Sequence, residues 1–77
     1  MKIWRLECSH AGDPLHTWAF FKNKPDVQTL LNEFIGFTKY PPSTDELKHL
    51  ANVGRVMIRS DEFYLEEVEV IENDSLL

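Results

Sequence analysis

Pro25-Asp26-Val27-Gln28-Thr29-Leu30-Leu31-Asn32-Glu33-Phe34-Ile35-Gly36 is the stretch on which the fold turns. Val27, Leu30, Leu31, Phe34 and Ile35 recur at i, i+3, i+4, i+7 and i+8, so a helix gathers all five into one apolar stripe. Gln28, Thr29, Asn32 and Glu33 then take the wet side. Pro25 suits a first turn, and Asp26 can cap free backbone N–H groups and oppose the positive end of the helix dipole. Gly36 is expected to end the helix in the left-handed conformation.

The flanking residues read mostly as strands. Upstream, Lys2 to Ser9 alternates, with Trp4, Leu6 and Cys8 on one side and Arg5 and Glu7 on the other. Residues 9–14 are turn material around Gly12 and Pro14. A second strand follows from Leu15 to Lys22, and its parity is awkward: Trp18 and Phe20 point one way, Ala19 and Phe21 the other. Both faces are apolar, so the strand is either covered twice or leaves one face for a partner.

Downstream, Phe37 to Pro42 is a stiff loop, because Pro42 forces Pro41 out of the helical region. Ser43 with Glu46 three residues on fits a capping box, opening a short helix with Leu47, Leu50 and Ala51 on one face and Gly54 closing it. Arg55 to Arg59 is a third strand, with Val56 and Ile58 inward. A fourth runs from Phe63 to Ile71, with Tyr64, Val68 and Val70 on one face and Glu67 and Glu69 on the other. A three-residue loop at 61–63 would then pair Val56 with Val68 and Arg55 with Glu69, with Arg59 diagonal to Glu67. The sum is a single α+β domain over residues 1–72, ordered β-β-α-α-β-β. Its four-stranded, mainly antiparallel sheet carries both helices on one face, and residues 73–77 form a frayed tail. A shorter sheet with only a turn for the second helix is the alternative.

Composition sets outer limits. Seventy-seven residues make one domain, and 43% hydrophobic with 27% charged residues is ordinary for a globular chain. No apolar run reaches the roughly 18 to 20 residues of a membrane span, and Arg5 and Glu7 break any signal-peptide core. A single cysteine, Cys8, excludes an internal disulfide and fits a reducing compartment, so a cytoplasmic location is expected. The net charge of −5 is uneven: residues 1–60 sum to +2, whereas residues 61–77 hold seven acids and no Lys or Arg. Such a segment repels phosphates and attracts basic partners, which argues against direct DNA or RNA binding.

Three constellations could carry chemistry. Cys8, His10, Asp13 and His16 are all competent zinc ligands, but their spacing matches no paired-ligand pattern, and no cofactor is expected. A five-residue hairpin loop, residues 10–14, would set Cys8 opposite His16 as a nucleophile and base; a four-residue loop would pair Cys8 with Thr17 instead. Neither an oxyanion hole nor a third group accompanies that dyad. The plentiful carboxylates lack the burial that would split their pKa values for acid catalysis. An enzyme is therefore not the expected reading.

The aromatics are the stronger signal. Nine occur, more than two modest helices readily cover. Trp18, Phe20, Phe37 and Tyr40 are the expected partner-binding anchors, flanked by Glu66, Glu67, Glu69 and Glu72 of the acidic strand, which would select a basic protein surface. The bland alternative is that Phe37 and Tyr40 fold back to seal the core edge. Small, acidic, motif-free chains of this style occur among inhibitors encoded by phages and mobile elements. An acidic mimic of nucleic acid, a metal or Cys/His protein using Cys8, His10 and His16, and a homodimer through an edge strand or the free sheet face are the competing readings.

Overall fold

The fold follows from where the large apolar side chains can be buried at once. A computed structural model describes residues 1–70, apart from the side chain of Phe37. It contains β1 (Lys2–His10), β2 (His16–Phe21), α1 (Val27–Phe37), α2 (Thr44–Val53), β3 (Arg55–Ile58) and β4 (Asp61–Glu69). The four strands form one antiparallel sheet in the order β2-β1-β4-β3, and the class is α+β. The acid-rich strand is thus internal, paired with β1 along its whole length and with β3 over its first four residues.

Leu6 and Cys8 of β1, Phe63 and Leu65 of β4, Leu30 and Phe34 of α1, and Leu47 and Leu50 of α2 make the buried core. Trp18, Ala19, Phe21, Val27, Leu31, Ala51, Val56 and Ile58 pack around it. Both helices therefore cover the same sheet face. Asp26 caps α1 by accepting the Thr29 N–H at 2.8 Å, and Ser43 and Glu46 close the reciprocal capping box on α2. The apolar stripe of α1 is narrower than its sequence pattern: Leu30 and Phe34 are buried, but Ile35 is exposed.

The second strand resolves its parity with a β-bulge. Leu6 pairs with Ala19 and Glu7 with Thr17, so Trp18 is the extra residue. A bulge sends two consecutive side chains toward one face. Trp18 therefore joins Ala19 and Phe21 on the helix side, while Phe20 is left opposite Arg5 on the other. The Trp18 ring lies 5.5 Å from Phe34 and 5.3 Å from Phe63, tilted and edge-on.

Three expectations are corrected. The second hairpin turns on two residues, Arg59 and Ser60, so Val56 pairs with Phe63 and Arg55 with Tyr64, in place of Val68 and Glu69. Arg59 adopts the positive φ of 58° that two-residue hairpins use at their first central position. Phe63 and Leu65 are consequently inward and Tyr64 and Val68 outward, because only the odd-numbered register buries the bulkier pair. Gly36 does not end α1; the helix continues to Phe37 and is capped by Thr38 in extended conformation. The expected strand end at Ile71 and the frayed tail lie outside the described residues.

Glycine makes a clean internal comparison. Gly54 caps α2 at φ 93°, and a Cβ there would sit 3.1 Å from the Leu65 carbonyl oxygen, whereas Gly36 is helical with open space around it. Gly54→Ala should cost about 1 to 2 kcal/mol, and Gly36→Ala should add up to about 1 kcal/mol, as read from thermal unfolding. Trp18→Ala should cost about 3 kcal/mol in urea unfolding, while Phe20→Ala should change stability by less than about 1 kcal/mol. Equal costs for the two ring deletions would contradict the bulge geometry.

Candidate functional site

The helix-free face of the sheet is built from alternate residues of all four strands. β1 contributes Ile3, Arg5, Glu7 and Ser9; β4 contributes Glu62, Tyr64, Glu66 and Val68; Thr17 and Phe20 come from β2, and Arg55 and Met57 from β3. No described element covers this surface. Phe20 is 61% exposed and Met57 63%, large values for side chains that contribute most when buried.

Between these two lies a charged centre. Arg5 is cross-strand from Glu66 and bonds it, and its Nη2 also lies 3.2 Å from Glu7 Oε1. Glu7 is only 9% exposed, enclosed by its neighbours on a face no helix shields. That burial, with the hydrogen-bonding Glu66 carboxylate and then its negative field adding to it, raises the Glu7 carboxyl above its ordinary value, against the pull of Arg5. The Arg5 hydrogen bond holds Glu66 below its ordinary value and raises the guanidinium. Beside them the Tyr64 hydroxyl donates to Glu62, which raises the phenol.

A cleft lies on the helix side. Trp18, Phe34 and Phe63 meet Thr38, Tyr40, Pro42, Ile58, Arg59 and Asp61 in a cleft between the α1–α2 loop and the β3–β4 turn. Tyr40 is 70% exposed, with the Arg59 guanidinium 5.3 Å from its ring centroid. Pro42 is buried, so the loop is pinned at its far end while Tyr40 stays outside. Asp61 pairs with His10, raising the imidazole, and the Ala11 N–H donates to the Ser60 carbonyl, tying the two hairpin turns together.

The expected anchor residues are not brought together. Trp18 is part of the core packing, Phe20 faces the open side, and Tyr40 stands at the cleft on the helix side. The Phe37 side chain and Glu72 lie outside what the structure describes. The acids of β4 also divide: Glu62 and Glu66 face the open side, whereas Glu67 and Glu69 point the other way, Glu67 lying 3.9 Å from Lys2. Among the described residues neither Arg55 nor Arg59 makes an ion pair with the acidic strand; Arg5 and Lys2 of β1 do. Sequence reading missed Arg5, Glu7 and Met57. Odd-numbered bulk at Phe63 and Leu65 was the available signal for the β4 register.

Cys8 is paired with His16, as the five-residue loop requires. Cys8 is nevertheless buried, and its desolvation raises the thiol above its ordinary value, the opposite of an activated nucleophile. His16 is exposed, and His10 is engaged by Asp61. Among the described residues no group of three His, Cys, Asp or Glu side chains is placed to hold a metal ion. No helix among them is long and apolar enough to cross a membrane. No family model, curated protein or solved structure matches this chain.

The thiol offers a direct check. A disulfide reagent at pH 7.5 should leave Cys8 unmodified in the folded protein over minutes and label it fully in urea; rapid native labelling would contradict its burial.

Proposed function

We propose that this chain is a non-enzymatic protein-binding module and that the helix-free sheet face is its docking surface. The observation that carries this reading is the exposure of Phe20 and Met57 on a face bordered by Ile3 and Val68 and centred on Arg5, Glu7 and Glu66. Apolar side chains around a polar, hydrogen-bonded centre are a composition that protein interfaces use, since ring and thioether burial supplies affinity and the charges set register. The strands beneath are hydrogen-bonded to one another, which limits the backbone entropy lost when a partner docks.

The partner this face suits carries cationic side chains. With Glu7 ionised, Arg5 and Arg55 are outnumbered by Glu7, Glu62 and Glu66, and the face carries one negative charge in excess. Simple occupancy of a partner's surface is enough for an inhibitor. The split of the β4 acids between two faces counts against mimicry of a nucleic acid, which would need its charges in one row.

The reading is tested by recovering a partner with the wild-type chain from cells that encode it and measuring affinities of variants. Phe20→Ala and Met57→Ala should each weaken binding by about 2 kcal/mol, roughly 30-fold, while Ile35→Ala on the exposed side of α1 should leave it unchanged. Loss on Tyr40→Ala alone would move the interface to the cleft, and self-association lost on Phe20→Ala would make the partner a second copy.

A further inference from the structure

Glu7, Glu66 and Arg5 pose a charge-balance problem: two carboxylates meet one guanidinium, and one of the carboxylates is buried. Arg5 does not hold the two equally. It bonds Glu66 directly across the strands and reaches Glu7 at 3.2 Å, and its Nε is buried with no hydrogen-bond partner among the described residues. Among the described residues no other cation is placed beside Glu7. Its own strand offers Arg5, β4 offers Glu62, Tyr64 and Glu66, and β2 offers Thr17, while Arg55 of β3 lies opposite Tyr64, one strand further away. The Lys2 ammonium is on the other face, by Glu67.

We propose that Glu7 and Glu66 form a proton-sharing pair clamped by Arg5, and that it makes the charge of the open face switch with pH. The third party that balances the cluster is a proton, held mainly on Glu7 and donated toward the Glu66 carboxylate. With the proton absent the triad carries one net negative charge; with it, none. The preference of this face for cationic partners therefore falls as the solution is acidified through the Glu7 transition. This consequence for binding rests on the docking reading above, whereas the proton sharing stands on the triad alone.

The sign of the stability effect follows. Glu7 is raised when folded, so its contribution is present below the unfolded glutamate value of about 4.3 and is lost as pH rises through the folded Glu7 value. Glu66 is lowered, so its contribution is present above about 4.3 and is lost as pH falls through the folded Glu66 value. From neutrality downward the triad first gains stability as Glu7 protonates, then loses it as Glu66 does.

Carbon-detected NMR titration of the glutamate carboxyls tests the pairing without any partner, so its failure is separate from a failure of docking. In the wild-type chain the Glu7 midpoint should lie above the ordinary range and the Glu66 midpoint below it, each carboxyl showing a second inflection at the other's transition. Glu66→Gln should lower the Glu7 midpoint, and Glu7→Gln should reduce Glu66 to a single transition still held low by Arg5. Independent single transitions for both in the wild-type chain would overturn the proposal. So would a Glu7 midpoint that does not respond to Glu66→Gln. The wild-type curve decides the matter even if a variant fails to fold.

Discussion

The packing of Trp18 against Phe34 and Phe63 is the contact from which the rest of the molecule takes its orientation. A six-residue strand carrying Trp18, Ala19, Phe20 and Phe21 in succession cannot bury three of these on one side with unbroken alternation. One extra residue in the ladder solves this, and the same irregularity turns Phe20 out. Coupling of that kind explains how a chain short of core material still leaves a large ring in water: the bulge that brings the indole inward fixes which side is covered by helices and which is not.

Much of the architecture was legible because local signals agreed. The stripe from Val27 to Phe34, the Asp26 cap and the Ser43–Glu46 capping box each rest on neighbours in sequence, and each is present. What was not legible depended on register. The second hairpin admits an even or an odd loop, and a one-residue slip reverses every side chain of β4. Tyr64, Val68 and Val70 look like an inward set until Phe63 and Leu65 are weighed against them as the bulkier alternative. The central position of β4 was equally hidden, since strand order is a long-range property that no local pattern encodes.

The same uncertainty explains the scattered site residues. Phe20 and Tyr40 share the chemistry of an anchor, yet they stand on opposite sides of the sheet, and the acids grouped in sequence divide between its two faces. Arg5 and Glu7 had looked like the ordinary wet side of an amphipathic strand. Their importance comes from Glu66 arriving beside them on β4, which turns a solvated pair into a charge-imbalanced cluster, with Glu7 buried within it, on the surface the helices leave free.

The orientation of the second strand is therefore the claim to measure first. In a nuclear Overhauser spectrum of the labelled protein, the indole protons of Trp18 should show cross-peaks to the rings of both Phe34 and Phe63, and the Phe20 ring should show none to either. Cross-peaks from Phe20 to Phe34, with Trp18 silent, would reverse the two faces and remove the basis for the open surface described above.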